Sequence, residues 1–289
     1  MQATGPITQG IRGPEFRNFI FALLKKGKIK DHYIDYLLED NAMDLYSKAF
    51  TNPTADLHCN YEMLEKIGDA TVNKAIIWYI YRKFPKLNSK PQGLMVFSRL
   101  FHTLQCTETF STIALSLGFE RYISYGYTRV KDKYEDVMKV QRNSVLEDCF
   151  EAFFGATEWL IDSKIKEGVG YAICNDIFKS MIEAFTFPSL KYEDLFDSIT
   201  RLKELFDYNF PGRGRLGKYE FIDEPINEVT KLKTVNIFWT SPTGQRMFIA
   251  KGTGSLKDKA KAIAAESALQ FFKIRGFVKA PPYDYREFL

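Results

Sequence analysis

Residues 61–70 read Tyr61-Glu62-Met63-Leu64-Glu65-Lys66-Ile67-Gly68-Asp69-Ala70 and open a long helical pattern. Glu65 and Asp69 are four residues apart, so on a helix they lie one above the other on the same face. That face continues through the apolar Val72 and Ile76, which predicts that both carboxylates face the protein interior. Carboxylates are rarely buried unless they are paired, hydrogen-bonded or bound to a metal. The stretch therefore predicts a functional acidic pair.

A second acidic pair, Asp148 and Glu151, lies in a second helical segment, residues 146–156. Its three-residue spacing again places both acids on one helical face. Gly68 in the first segment and Gly155 in the second would let two helices approach closely. We therefore expect the four acids of the two segments to meet at one point.

Four neighbouring carboxylates repel one another, and repulsion together with burial raises their pKa values. A divalent cation removes that cost, and a set of oxygen ligands suits Mg²⁺, with Mn²⁺ as a substitute, rather than Zn²⁺. A metal-bound water is a nucleophile suited to phosphodiester hydrolysis. The alternative interpretation is a set of acids that form surface ion pairs, which is the commoner role of a lone acidic pair.

The overall composition is that of a globular protein, with 45% hydrophobic and 26% charged residues among 289. No apolar run is long enough to cross a membrane, and the amino terminus does not resemble a signal peptide. The four cysteines have no metal-ligand spacing, which favours free thiols in a reducing compartment. We expect an intracellular protein, with the cytoplasm favoured and an organelle or the nucleus left open.

Hydrophobic periodicity divides the chain into a first unit that is all α and a second, smaller unit of α+β type. We expect a flexible amino terminus (1–14), the all-α domain (15–187), a linker (188–196), an α-β-β-β-α domain (197–276) and a carboxy-terminal tail (277–289). In the first domain we expect one helix over residues 31–50 and an irregular excursion over residues 121–136. In the second we expect a Gly-x-Gly turn at Gly252 and Gly254 before the last helix.

Basic residues are concentrated near the carboxy terminus, although the net charge of the chain is only +4. Lys257 and Lys261 lie four apart at the start of the last helix, and a helix amino terminus with nearby lysines is a good phosphate site. A solvated charged face is the plainer interpretation of a lysine run. The α-β-β-β-α order and an alanine stripe in the same helix favour RNA binding over a merely solvated face.

The first acidic segment resembles the ribonuclease III signature Asn-Glu-Arg-Leu-Glu-Phe-Leu-Gly-Asp, with matches at Glu62, Leu64, Glu65, Gly68 and Asp69. The second segment is similar to that family's second acidic block. The resemblance implies that Glu65, Asp69, Asp148 and Glu151 are the catalytic residues and metal ligands. It makes Glu62 a candidate for active-site support.

The carboxy-terminal unit resembles a double-stranded-RNA-binding domain. The stretch from Gly252 to Leu269 matches the most specific part of that module, and residues 200–204 resemble its opening helix. The resemblance implies that the following residues contact RNA: Lys257, Lys261, Lys259, Gly252, Gly254, Lys203 and Glu204.

Several residues depart from the family patterns. Tyr61, Met63 and Lys66 replace Asn, Arg and Phe of the signature, and Asn52 stands where the family usually has His. No acid follows Gly93, where many members carry one. Leu256 and Asp258 interrupt the Ser-Lys-Lys of the RNA-binding module.

Together the resemblances imply a divalent-metal-dependent endoribonuclease that cleaves double-stranded RNA as a homodimer and leaves short 3′ overhangs. The dimer is expected because one nuclease domain cannot cut both strands. Two alternatives stay open: a non-catalytic double-stranded-RNA-binding protein and a structural component of a ribonucleoprotein. Loss of the acids would mark either alternative, and all four acids are present. Large interaction insertions would also mark the structural alternative, and the insertion around residues 121–136 keeps that alternative open.

Overall fold

The computed structural model describes residues 7–27, 29–126, 135–185, 195–226, 232–279 and 288, with side chains of residues 135–141 left undescribed. The chain divides into two compact units, Met1–Phe187 and Pro188–Leu289. Among the described residues, no helix combines the length and the apolar character needed to span a bilayer.

The first unit is built from helices around a core rich in phenylalanine. Phe16, Phe50, Phe119, Phe150 and Phe153 are all almost fully buried, and their rings pack against one another at centroid separations of 5–6 Å, largely edge to face or tilted. The helices are α1 (Pro14–Lys25), α2 (Asp31–Leu37), α3 (Asp40–Ala49), α4 (Glu62–Lys83), α5 (Pro91–Gln105), α6 (Thr107–Ser116), α7 (Glu135–Lys164) and α8 (Val169–Ala184).

The single helix predicted over residues 31–50 is wrong, because α2 and α3 are separate helices. The backbone becomes extended at Glu39, with φ −60° and ψ 158°. Arg17 of α1 stabilises this break, since its guanidinium donates both to the carbonyl oxygen of Leu38 and to Asp40 Oδ1. A side chain distant in sequence thus binds a carbonyl that the helical hydrogen-bond ladder leaves free.

Residues 7–14, expected to belong to a flexible amino terminus, are held against the first unit. Strand β1 (Ile7–Thr8) pairs antiparallel with β2 (Tyr125–Gly126). Arg12 donates to the carbonyl oxygens of Tyr122 (2.5 Å) and Phe50 (3.2 Å). The pairing also orders the start of the predicted excursion over residues 121–136, of which residues 127–134 lie outside the described part of the chain.

The second unit has the predicted α-β-β-β-α order: α9 (Ser198–Asp207), β3 (Lys218–Asp223), β4 (Lys233–Thr240), β5 (Arg246–Gly254) and α10 (Lys257–Ile274). The strands form an antiparallel sheet in the order β3-β4-β5. Both helices pack on the sheet through one core that includes Leu202, Phe206, Ile237 and Phe272. The side chain of Asp197 caps α9 by accepting from Thr200 N at 2.9 Å. The predicted fold class is confirmed for both units.

The turn expected at Gly252 and Gly254 is wrong, because both glycines lie in β5 and are buried. A Cβ on Gly252 would stand 2.1 Å from the carbonyl oxygen of Ala260 in α10. The glycines therefore allow close packing of the strand against the helix. Most of the predicted linker and tail, including residues 188–194 and 280–287, falls outside the described residues.

Candidate active site

Helices α4 and α7 pack against each other at two glycines. A Cβ on Gly68 would lie 1.8 Å from the carbonyl oxygen of Glu151, and one on Gly155 would lie 1.9 Å from that of Leu64. Real Cβ atoms do not come this close to backbone atoms, so each position requires glycine at this helix spacing. The close approach predicted from Gly68 and Gly155 is confirmed.

The four predicted acids lie on these two helices around that contact. Glu65 and Asp69 are half-buried residues of α4, three positions before and one position after Gly68. Asp148 is half-buried on α7, and Glu151 is buried, with 7% of its surface exposed. The carbonyl of Glu151 is the group that Gly68 contacts, so the buried acid is fixed at the centre of the helix crossing.

Burial and mutual repulsion make these acids hard to ionise together. Burial raises the pKa of Glu151 to about 9, and the negative charges of Asp69, Glu147, Glu65 and Asp148 add to the effect. The pKa of Asp148 is raised to about 6, first by burial and then by Glu65 and Glu147, against a hydrogen bond from Tyr61 that lowers it. Glu151 and Asp148 of α7 thus experience the charge of acids on α4.

The chemistry of this donor set fits a divalent cation, because a positive charge would offset both burial and repulsion. As the side chains stand, however, no group of three or more His, Cys, Asp or Glu within the described ranges is arranged to hold an ion. Three of the four acids bond to protein donors instead. Lys66 donates to Glu65 (2.9 Å), Asn73 to Asp69 (2.7 Å) and Tyr61 to Asp148 (2.6 Å).

A fifth acid, Glu147, was missed by the sequence analysis. Burial raises its pKa, a hydrogen bond with Thr107 opposes the rise, and the charges of Glu65 and Asp69 add to it. Its place directly before Asp148 was the available clue. The helical-face argument did not single it out, because consecutive residues of a helix point in different directions.

Two of the departures from the family pattern, Tyr61 and Asn52, meet beside Asp148. Asn52 Nδ2 donates to Tyr61 Oη at 2.6 Å, and Tyr61 Oη donates to Asp148 Oδ2 at 2.6 Å. Burial, followed by the charges of Cys149 and Asp148, raises the pKa of the Tyr61 hydroxyl, so this hydroxyl stays protonated. The two substitutions therefore form one hydrogen-bonded unit with a predicted catalytic acid.

An open groove of about 600 Å³ runs beside Glu65, and the exposed Glu62 lies on it. Cationic or titratable side chains share this groove with apolar ones. Its lining residues are Lys48, Leu57, His58, Asn60, Glu62, Met63, Glu65 and Lys66.

In the second unit, the predicted RNA-contacting side chains lie on the surface of α9 and α10. Lys203, Lys257 and Lys259 are exposed. Lys257 forms an ion pair with Asp223 at the end of β3, and Lys261 Nζ lies 5.8 Å from the ring centroid of Phe221.

Glu204, which the resemblance also placed among the RNA contacts, pairs with Lys279 at 2.8 Å. Both side chains of this pair are largely buried, at 27% and 19% exposure. The ion pair links α9 to the residues that follow α10, so Glu204 makes this contact within the second unit.

Comparison with known proteins agrees with the two acidic segments. The family model described as "Ribonuclease III domain" matches residues 62–158, which include all four acids. A predicted ribonuclease 3 of Invertebrate iridescent virus 6 is 33% identical over 97% of this chain and 95% of its own length. Ribonuclease 3 of Pediococcus pentosaceus is 29% identical over 84% of this chain and 92% of its own.

Among solved structures, the nuclease domain of ribonuclease III from Campylobacter jejuni covers 56% of this chain and 94% of that chain, with 25% identity and a TM-score of 0.40. The family assignment rests on the sequence comparisons, because the match to the viral relative runs through almost the whole of both chains. The chain belongs to the ribonuclease III family of endoribonucleases.

Proposed function

We propose that this protein is a divalent-metal-dependent endoribonuclease that hydrolyses phosphodiester bonds of double-stranded RNA as a homodimer and leaves short 3′ overhangs. The supporting observation is the electrostatics of the acids on α4 and α7. A buried Glu151 whose pKa is raised to about 9 beside further acids destabilises the folded protein unless something compensates the charge. Such unfavourable clusters are typical of catalytic sites.

Glu65, Asp69, Asp148 and Glu151 are the residues proposed to hold Mg²⁺, with Mn²⁺ as a substitute. A bound divalent ion lowers the pKa of a coordinated water and stabilises charge on the phosphate oxygens. Glu151 is the most buried of the four and is fixed through its carbonyl at Gly68. Glu62 lies on the adjoining groove, where it supports the site rather than binding the ion.

The second unit is proposed to bind the RNA duplex through Lys257, Lys261, Lys259 and Lys203. The A-form major groove is too narrow for side chains to read the bases, so recognition depends on backbone shape and phosphates. Modules of this class span about 16 base pairs. The exposed lysines at the start of α10 suit such phosphate contacts.

The homodimer is proposed because the chain carries one set of four acids, whereas duplex cleavage cuts two strands. The first unit also exposes large apolar side chains on α4, including Met63, Ile77, Trp78 and Tyr81. Exposed apolar surface of this kind favours association. Sedimentation of the full chain at micromolar concentration should give about twice the chain mass of 33.5 kDa, and a monomer with full double-strand cleavage would contradict the dimer.

The central experiment compares wild type, Glu151→Gln and Glu158→Gln on labelled duplex RNA, with Mg²⁺ added or withheld. Wild type should cleave only with Mg²⁺. Glu151→Gln should lose cleavage by orders of magnitude while it still binds duplex RNA in a gel-shift assay. Glu158 is the matched control, because it lies on the same helix, has a pKa raised by burial and contacts Thr71 rather than the other acids.

Glu158→Gln should therefore cleave at close to the wild-type rate. Cleavage by Glu151→Gln at the wild-type rate would refute the assignment of the acids. Duplex binding by wild type without cleavage under any Mg²⁺ or Mn²⁺ concentration would support the non-catalytic alternative.

A further inference from the structure

A continuous chain of hydrogen bonds leads from the backbone to Asp148. Gly126 N donates to Thr54 Oγ1 at 2.9 Å, and the Thr54 hydroxyl donates to Asn52 Oδ1. Asn52 Nδ2 then donates to Tyr61 Oη, and Tyr61 Oη donates to Asp148 Oδ2, each at 2.6 Å. The chain ends on a carboxylate proposed to bind the cation.

The direction of this chain is fixed by a backbone group. Thr54 N donates to Asn52 Oδ1 at 2.8 Å, and a backbone N–H can only donate. The amide oxygen of Asn52 must therefore face Thr54, so its amide nitrogen must face Tyr61. The Tyr61 hydroxyl accepts that bond, which leaves its single proton for Asp148.

The donor is also held rigidly. Asn52 and Tyr61 are both buried, at 8% and 3% exposure. Asn52 N donates to the carbonyl oxygen of Ser124 (2.9 Å), and Tyr61 N donates to that of Thr51 (3.0 Å). Backbone bonds thus fix both residues independently of their side chains, so the hydroxyl is preorganised to meet Asp148.

We propose that Tyr61, oriented by Asn52, is a positioning residue for the metal site: its hydroxyl holds Asp148 Oδ2 and thereby fixes the orientation of the carboxylate that would bind the cation. This inference rests on the proposed function. A hydroxyl bonded to a carboxylate oxygen at 2.6 Å is a short, charge-assisted contact. Groups that orient metal ligands in this way typically change metal affinity or activity about 10- to 100-fold when removed.

The first test is Tyr61→Phe, which removes only the hydroxyl. Binding of Mn²⁺ alone, in the absence of RNA, is measured from the electron paramagnetic resonance signal of the free ion. The variant should bind Mn²⁺ about 10- to 100-fold more weakly than wild type. Its cleavage of duplex RNA should fall at limiting Mg²⁺ and recover in excess Mg²⁺, because the ligands themselves are intact.

Tyr46→Phe is the matched control. Tyr46 is fully buried in the same unit, and its hydroxyl bonds to Thr157 Oγ1 at 3.0 Å. A general structural role of a buried tyrosine hydroxyl would lower the thermal stability of both variants and leave their Mn²⁺ affinity equal. The positioning role predicts that only Tyr61→Phe loses Mn²⁺ affinity.

Asn52→Asp tests the direction of the chain with Tyr61 retained. A carboxylate at this position accepts a bond from Tyr61, so the hydroxyl proton turns away from Asp148. An added negative charge near the site would by itself raise cation affinity, so weaker Mn²⁺ binding by a folded Asn52→Asp protein identifies the reversed hydrogen bond. Circular dichroism verifies the fold, and this variant also serves if Tyr61→Phe is unstable.

The positioning role would be overturned if folded Tyr61→Phe and Asn52→Asp both bound Mn²⁺ as tightly as the wild-type protein does. If the wild-type protein were active in the same experiments, the proposed function would still stand. A wild-type protein that neither binds Mn²⁺ nor cleaves duplex RNA would overturn the proposed function and this inference with it.

Discussion

Gly68 of α4 and Gly155 of α7 face each other so closely that a Cβ on Gly68 would lie 3.0 Å from the backbone nitrogen of Gly155 and 1.8 Å from the carbonyl oxygen of Glu151. The obstructing atoms are backbone, so no side chain can rotate away. Each glycine carries only a hydrogen atom where another residue would carry a Cβ. The separation of the two helices, and with it the distance between the two acidic pairs, depends on the absence of these two Cβ atoms.

Gly68→Ala should therefore push α4 and α7 apart. Overpacking of a closely packed contact costs about 1–3 kcal/mol, and we expect the upper part of that range together with a large loss of Mg²⁺-dependent cleavage. Urea denaturation followed by circular dichroism measures the free energy of unfolding. Ala70→Gly is the control, because Ala70 is exposed on the same helix and a glycine there should cost only about 0.5–1 kcal/mol.

Equal destabilisation by Gly68→Ala and Ala70→Gly would contradict the importance of the glycine contact. A fully active Gly68→Ala protein would show that the helix separation does not set the geometry of the acids.

Stability without metal should fall as pH rises. Burial raises the pKa of Glu151 from an ordinary value of 4.5 to about 9, so between these values the folded protein holds a proton that the unfolded chain has released. The native state then binds more protons than the unfolded state, and the free energy of unfolding decreases with increasing pH. Asp148, whose pKa is raised from 3.8 to about 6, lowers the free energy of unfolding in the same way as the pH rises between these two values.

Thermal unfolding in EDTA at pH 5.5 and pH 8.5 measures this effect, and each 1 kcal/mol corresponds to about 2–4 °C in a domain of this size. The lower pH should give the higher melting temperature. Glu151→Gln should flatten the dependence, and Mg²⁺ should stabilise wild type more at pH 8.5 than at pH 5.5. A melting temperature that rises with pH in EDTA would contradict the assigned pKa shifts.

Duplex RNA binding should depend on Lys257 and Lys261 together. Lys257→Ala combined with Lys261→Ala should weaken binding about equally for unrelated duplex sequences, because phosphate contacts carry no sequence information. In a plot of the logarithm of the binding constant against the logarithm of the salt concentration, each lost phosphate contact should reduce the steepness of the slope by roughly 0.7–0.9. Cleavage at saturating RNA should stay close to the wild-type rate, since the acids lie in the other unit.

A salt titration on two unrelated RNA duplexes and one DNA duplex of matched length makes this measurement. Lys273→Ala, in the last turn of the same helix and also exposed, is the control for loss of one positive charge. An unchanged slope in the double variant, or equal affinity for DNA, would show that the start of α10 is only a solvated face.

Asp223 should restrain the RNA affinity of the same helix. It pairs with Lys257, and both side chains are about half exposed, at 49% each. Exposed ion pairs contribute about 0.2–1 kcal/mol, so Asp223→Asn should tighten duplex binding by a few-fold at low salt and steepen its salt dependence. The gain should disappear when Lys257→Ala is added.

Glu220→Gln is the matched control for Asp223→Asn. It removes one negative charge from the same strand, but Glu220 pairs with Arg246, at the opposite end of β3 from Lys257. The same gain in affinity from both variants would mean that net charge alone, and not release of Lys257, controls binding.

Much of the candidate site follows from local spacing. Glu65 and Asp69 must share a helical face because they are four residues apart, and Gly68 beside them points to a close helix contact. The α-β-β-β-α order likewise follows from the switch of hydrophobic period along residues 197–276. These features depend on neighbours within a few residues, so no knowledge of the tertiary structure is needed to predict them.

The errors arose where a distant residue decides the local structure. At the break between α2 and α3, Arg17 binds the carbonyl oxygen of Leu38, 21 residues later in the chain. A turn at Gly252 is predicted because glycine is common in turns, whereas it is the packing of β5 against Ala260 that requires glycine there. Glu147 joined the acids because the fold brings it close enough to Glu65 and Asp69 for their charges to add to the rise of its pKa.

The sequence by itself therefore determined the order of the elements, the four acids and the two glycines that bring their helices together. Each of these features follows from the spacing of residues within a short stretch of the chain. Only the tertiary structure decided what those groups contact. Tyr61 meets Asp148 across 87 residues, and Lys257 meets Asp223 across 34. Such contacts form because packing of whole helices and strands sets the positions of their side chains, and no local pattern encodes that packing.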